Sequence, residues 1–360
     1  MARDSSRVGA KGVAVKAIWI VVAWLLGSSA EAHVKWFYQG ERPPVQWDAL
    51  LNPITLTVIG GVAVLVAALA ALQRFRGGHG LIPPMRWFGA SDDHRAALFS
   101  FIPAILAVHF AVPLFVGSVQ GQLFSPDNRL PGGWAYILGL LQAGIALSLF
   151  YGGLTRISAV LLAWLWLVSP AFIGFEGMLD NAFVLGFAAF FWLAGRGPIS
   201  VDRLIFPRLE PSANLMRHAM TALRVGIGVS LLSAAFTEKL ANPALAQSFL
   251  MQFPLNFTSS LGIPIPDDVF FRLAGGVELL VGLCLIFNIF PREIIIIAWL
   301  PINLTLTVFD WVELVGHLPI YGAFAALLIW DNASLPLWLR GMREGPLPVA
   351  REVRSAVKQT

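Results

Sequence analysis

Three ionisable residues sit where a bilayer would make them costly. Glu278 lies near the middle of an apolar run at 269–288, and Glu238-Lys239 closes the apolar run before it. A carboxylate or ammonium in hydrocarbon must find a partner or lose its charge, so such residues default to function. A Glu278–Lys239 contact would satisfy both. In that arrangement Glu278 could pass a proton to or from a bound oxygen while Lys239 stabilises the developing anion, with Glu238 beside it. The competing reading is a structural ion pair, or a lysine whose stem runs along apolar surface to the headgroups.

A second set has the donor types of a metal site. Asp310, Glu313 and His317 precede the last apolar run. Residues three and four apart share a helix face, and carboxylates with imidazole suit a hard or borderline ion. The other reading is a solvated loop with helix caps. Glu176 and Asp180 hold the equivalent place upstream, and Asn181 stands opposite His317 at the repeat offset described below.

His33 joins this set if the chain is cut before it. Arg3, Arg7, Lys11 and Lys16 precede the apolar run Ala17–Gly27, and Ala30-Glu31-Ala32 is an A-x-A site. That is the three-part pattern of a secretory signal. Cleavage after Ala32 would give His33 a free α-amine. Amine plus imidazole can hold copper in two positions, and another histidine such as His317 completes a T-shaped site. Without that cut, His-Val-Lys-Trp-Phe reads as an interfacial anchor, with Lys35 and Trp36 at headgroup level.

The elements that must position these groups are membrane spans. The chain is 57% hydrophobic and 13% charged, with mean hydropathy +0.72, whereas soluble domains carry about 25% charged residues. An all-α, polytopic membrane protein follows. Apolar runs predict nine spans, near 51–72, 96–119, 134–150, 154–175, 181–195, 219–237, 269–288, 293–309 and 318–331. With the mature amino terminus outside, 15 Lys and Arg residues fall inside; five, namely Lys35, Arg42, Arg129, Lys239 and Arg272, fall outside. This bias places the amino terminus out and the carboxyl terminus in.

The spacing also predicts an internal repeat. Gln142, Arg156 and Gly186 match Glu278, Arg292 and Gly322 at an offset of 136 residues. Each copy would be a four-helix unit, 96–195 and 219–331, joined by a cytoplasmic linker at 196–218. A secretory-signal segment, 1–32, a lone span at 51–72 within 33–95, and a cytoplasmic tail, 332–360, would complete the chain. Both units start on the same side, so the repeat is parallel, with its axis along the membrane normal. The first unit lacks the ionisable pairs of the second, which suggests an active second copy and a scaffolding first copy.

The second unit resembles the DoxX family of small four-helix membrane proteins. The features are "FTEKL" (Phe236–Leu240), "GGVELLVGLCLIF" (Gly275–Phe287) and Arg292; in the first unit "GRGPISVDRLI" (Gly195–Ile205) is similar to the tail that closes such proteins. The chain departs from the family pattern around Ala235-Phe236, and has Pro113-Leu114 where Glu238-Lys239 would fall in the first unit. The resemblance implies a bacterial inner-membrane component supporting redox chemistry, quinone-linked, with a periplasmic redox enzyme as partner. Two further readings stay open: a periplasm-facing copper-handling protein, and a small-solute transporter.

Other site types are missing from the sequence. There is no GxGxxG after a strand, Walker loop, GxSxG, HExxH or CxxCH, and no Lys/Arg cluster suited to nucleic acid. One cysteine, Cys284, allows no intrachain disulfide or CxxC centre. His109, inside a span, reads as a hydrogen-bonded packing residue, and His79, His94 and His218 stand alone in loops.

Overall fold

The computed structural model describes residues 33–207, 209, 212–309, 311–330 and 334–346. The signal segment 1–32, Asp310 and most of the tail, 347–360, lie outside the described residues. Within them there is no strand, only an antiparallel bridge between Gln122 and Arg129. The helices are α1 (Val34–Phe37), α2 (Pro53–Phe75), α3 (Asp92–Ser100), α4 (Ile102–Val119), α5 (Trp134–Tyr151), α6 (Thr155–Val168), α7 (Pro170–Asp180), α8 (Ala182–Ala194), α9 (Val201–Ile205) and α10 (Ala213–Ala234). A π-helical turn, Ala235–Leu240, extends α10. Then come α11 (Pro243–Gln252), α12 (Asp267–Phe287), α13 (Pro291–Thr305), α14 (Trp311–Ile329) and α15 (Leu335–Glu344).

Local chemistry sets the helix starts. Asn52 accepts from the Ile54 amide at 2.9 Å and Pro53 opens α2, a cap followed by a residue with no amide to lose. Ser91 caps α3, and Asp92 and Asp93 favour its first turn. Asp267 and Asp268 do the same for α12.

Among the described residues six helices, or continuous helix pairs, are long and apolar enough to cross a bilayer: 53–75, 92–119, 134–151, 213–240, 267–287 and 311–329. The protein is a multi-pass helical membrane bundle. Three of the nine expected spans are shorter or broken. The run at 154–175 bends by 104° between α6 and α7, where Pro170 opens a new helix. The run at 181–195 forms α8, only 13 residues, about 20 Å at 1.5 Å per residue. It is wrapped by protein instead, with Phe187, Phe190 and Phe191 fully buried. The run at 293–309 gives α13, 15 residues with Pro301 inside. Lipid-facing surface is plain elsewhere, as at Val64 and Leu140, 71% and 77% exposed.

The two four-helix stretches share backbone detail at the same offset of 136 residues. Gly152 and Asn288 end α5 and α12 in the left-handed region, at φ 70° and 59°. Leu154 and Phe290 open α6 and α13 in that region too, at φ 56° and 43°. Non-glycine residues rarely adopt it, so their recurrence marks one loop geometry used twice.

The repeated glycines hold the stretches together. Gly186 of α8 meets α10, and Gly322 of α14 meets α4; a Cβ at Gly186 would lie 3.0 Å from the Gly226 Cα, and one at Gly322 would enter His109. Each last helix therefore crosses the first helix of the other stretch, and small residues allow the close approach.

Candidate functional site

The π-helical turn explains why Glu238 and Lys239 both face inward. A wider turn breaks the 3.6-residue register, so two consecutive side chains can share one face. Both are almost fully buried, at 1% and 2% exposure. Gly275 on α12 lets the turn approach, since a Cβ there would sit 3.0 Å from the Lys239 Cβ. Glu278, one helical turn later, then reaches Lys239.

The Lys239 Nζ lies 2.7 Å from Glu278 Oε1 and 3.7 Å from Glu238 Oε2. Glu238 also binds the chain's first described residues. Its Oε2 accepts from the Val34 amide at 2.8 Å, and its Oε1 lies 3.4 Å from His33 Nδ1. His33 stacks on Trp36 at 4.3 Å and on His317 at 5.3 Å between ring centroids. His317 Nδ1 is 3.1 Å from the Glu313 carbonyl and 3.4 Å from its Oε1. Thr305 donates to that Oε1 at 2.6 Å. Glu278 Oε2 and Glu313 Oε2 are buried with no hydrogen-bond partner.

A second ion cluster borders this one. Lys35 Nζ contacts Asp180 and Glu176, each at 2.5 Å, and donates to Thr237 at 2.8 Å. Ser233 donates to the other Asp180 oxygen at 2.5 Å. Burial alone would lower the Lys35 pKa, but Asp180, Glu238 and Glu176 raise it overall. His33 behaves alike: burial lowers its pKa, yet the Glu238 hydrogen bond and charge leave it raised.

Several expectations change. Glu313 and His317 are not in a solvated loop. The last span begins at Trp311, so both lie on α14, at 0% and 3% exposure. Lys35 is no headgroup anchor but 5% exposed and ion-paired. Among the described residues no three His, Cys, Asp or Glu side chains converge as a metal-holding group; His33 and His317 stand as a stacked pair. Asp310 lies outside the described residues. His109 Nδ1 bonds to the Ile105 carbonyl at 2.8 Å, a packing role against Gly322. Cys284 is buried, its thiol in the core cluster.

Sequence reasoning missed Trp36, Thr305 and Asp180 as partners. Trp36 fits because Gly316 lacks a Cβ; one there would enter the indole ring. A small residue on α14 was the available signal. A cleft of about 30 Å³ lies on the far side of Gly316, between Pro113, Val116 and Gly117 of α4 and Val312 and Val315 of α14. That is room for about one water.

The first-stretch counterpart of Glu278 is closed. Gln142 is fully buried; its Oε1 accepts from Phe124 at 3.1 Å and its Nε2 donates to the carbonyls of Leu114 and Gln122 at 2.9 and 3.0 Å. The "GRGPISVDRLI" stretch is also structural: Asp202 accepts from the amides of Leu154 and Thr155 at 2.6 and 2.9 Å, and Arg196 donates to the Leu149, Phe150 and Ile199 carbonyls.

What this arrangement can do is hold and move protons. Glu278, Lys239, Glu238 and His33 form a run of titratable groups, each in contact with the next, inside a membrane bundle. No family model matches the chain, and neither a curated protein nor a solved structure does.

Proposed function

We propose that this chain is a DoxX-like bacterial inner-membrane protein that supports quinone-linked redox chemistry, with its mature amino terminus periplasmic and its carboxyl terminus cytoplasmic. One observation carries the reading: the buried run Glu278–Lys239–Glu238–His33, with contacts of 2.7, 3.7 and 3.4 Å. Quinone reduction takes two electrons and two protons. The electrons come from a partner redox enzyme, and the run supplies the protons. Glu278 is the donor, with a carboxylate oxygen left unpartnered; Lys239 offsets the anion that forms, and Glu238 with His33 relays from the surface. The cleft beside Gly316 is water-sized and none of the run's four residues lines it, so a quinone ring meets the run from the lipid side.

A nanodisc titration tests this reading. A short-chain ubiquinone is added to the purified protein, and tryptophan quenching is read. Saturable quenching, weakened at least tenfold in Glu278→Gln, is expected. Non-saturable quenching identical in both forms would sink the reading. A copper-handling function is the second reading, favoured by the approach of His33 to His317. It requires bound copper that His33→Ala removes and Glu278→Gln leaves in place. A solute carrier would instead show vesicle flux without either signal.

A further inference from the structure

The segment His33–Phe37 is buried more deeply than a passing stretch of chain needs to be. Val34 is 2% and Lys35 5% exposed. Val34 packs in a small core with Phe249, Phe270 and Phe309. Trp36 fills the space opposite Gly316. The segment is a plug whose first residue lies against Glu238.

Charge gives that position a meaning. Glu238 and Glu278 share one ammonium, Lys239. Glu278, at 4% exposure, keeps an oxygen with no hydrogen-bond partner. The His33 imidazole, 3.4 Å from Glu238 Oε1, carries charge only when protonated, so two buried carboxylates beside one permanent cation call for a second positive group. In the uncut chain the His33 nitrogen is a neutral amide. It lies one residue upstream of the Val34 amide, which donates to Glu238 at 2.8 Å, and backbone geometry puts it within about 6 Å of that carboxylate. A-x-A precedes it in the sequence, at Ala30-Glu31-Ala32.

We propose that hydrolysis of the Ala32–His33 bond completes the buried site, because the freed α-ammonium of His33 becomes the second cation of the Glu238–Glu278 pair. Water supplies the hydroxyl to the Ala32 carboxyl group and the hydrogen to the new amine, which takes up a further proton at neutral pH. Processing thus makes a docked, charge-balanced amino terminus out of a signal junction. The inference stands apart from the redox reading, since it concerns chain processing and charge alone.

The test uses full-length precursor expressed in a bacterial membrane and purified gently. Intact mass is measured first. Reductive methylation then reads the reactivity of the His33 amine, with peptide mapping to separate it from lysines. The expected mass begins at His33, and the amine labels at least tenfold more slowly in native than in denatured protein. A mass that retains residues before His33, or begins after it, overturns the proposal. So does an amine that labels equally fast in both states. Glu238→Gln should remove most of the native protection. Should that variant fail to fold, one alanine inserted between Ala32 and His33 keeps both carboxylates and moves the amine outward by about 3.6 Å. It should label rapidly in native protein, and retained protection would refute the pairing.

Discussion

Replacing Lys239 with methionine puts the buried cluster under its hardest test. The Lys239–Glu278 contact is 2.7 Å long, and the partners are 2% and 4% exposed. At an effective dielectric of about 20 their gross attraction is about 6 kcal/mol. Desolvation offsets much of it, so the pair's net contribution is small, whereas one partner removed leaves an uncompensated charge and costs about 3–5 kcal/mol. Lys239→Met should therefore lower unfolding free energy by that amount. Adding Glu278→Gln should return about 1–3 kcal/mol, making the double variant more stable than Lys239→Met alone. Gln142 shows that a neutral amide is tolerated at the equivalent place when its hydrogen bonds are met. Denaturant titration in detergent micelles, followed by near-UV circular dichroism, measures all four corners of the cycle. A loss below about 1 kcal/mol for Lys239→Met, or a double variant no better than the single, refutes the account of a mutually dependent buried pair. If stability returns in the double variant while quinone titration stays lost, the pair acts in function as well as in folding.

Other perturbations read different parts of the site. The His33 pKa is raised above its ordinary 6.5 by Glu238 despite burial; the stability it contributes is complete below about pH 6.5 and is lost as pH rises through the folded value. Proteolytic access to the 33–37 plug should therefore grow on the alkaline side, and access independent of pH would contradict the His33–Glu238 contact. Gly316→Ala places a methyl group in the Trp36 ring, so a cost of about 1–3 kcal/mol and a changed near-UV signal are expected; an unaltered spectrum means the plug is not seated there. Gln142→Glu sets a carboxylate oxygen against the Leu114 and Gln122 carbonyls and should cost about 2–4 kcal/mol in thermal or chemical unfolding, with no cost refuting the hydrogen-bond assignment.

The sequence showed the coarse frame because hydrocarbon imposes it. Apolar runs at 51–72, 96–119, 134–150, 219–237 and 269–288 became long helices, since an unpaired backbone cannot survive in lipid. Length was misread at α8, an apolar run that protein covers, and at α13, which ends at Thr305 although Ile296, Leu300 and Leu304 stay exposed. The Glu278–Lys239 contact was legible from cost alone, because a charge in the middle of an apolar run has few partners. The placement of Glu313 and His317 was not. The last apolar run reads from residue 318, yet α14 starts at Trp311 and buries both groups. Lys35 was hidden for a related reason: the chain before the first span looks like a headgroup anchor, and nothing local shows that Asp180, some 145 residues on, will hold it.

The two halves of the bundle use one backbone for two purposes, and the difference lies in what closes each equivalent position. The left-handed residues at 152 and 154 recur at 288 and 290, so the helix pairs meet alike in both stretches. At the first position Gln142 spends every hydrogen-bonding atom on backbone groups around it, which rigidifies α4, α5 and the connecting loop. At the second, Glu278 has one oxygen on Lys239 and one with no partner. A buried polar group left incomplete is a liability in a scaffold, because it lowers stability without fixing structure. It is an asset in a proton-handling site, where the group must change its state. The same bundle thus holds a satisfied amide at one position and, at its equivalent, an unsatisfied acid that the proposed function puts to use. The plug at His33–Phe37 meets both stretches, through Glu238 beside Lys239 and through Asp180 at the end of α7, so the amino-terminal segment ties the incomplete acid's neighbours to the first stretch.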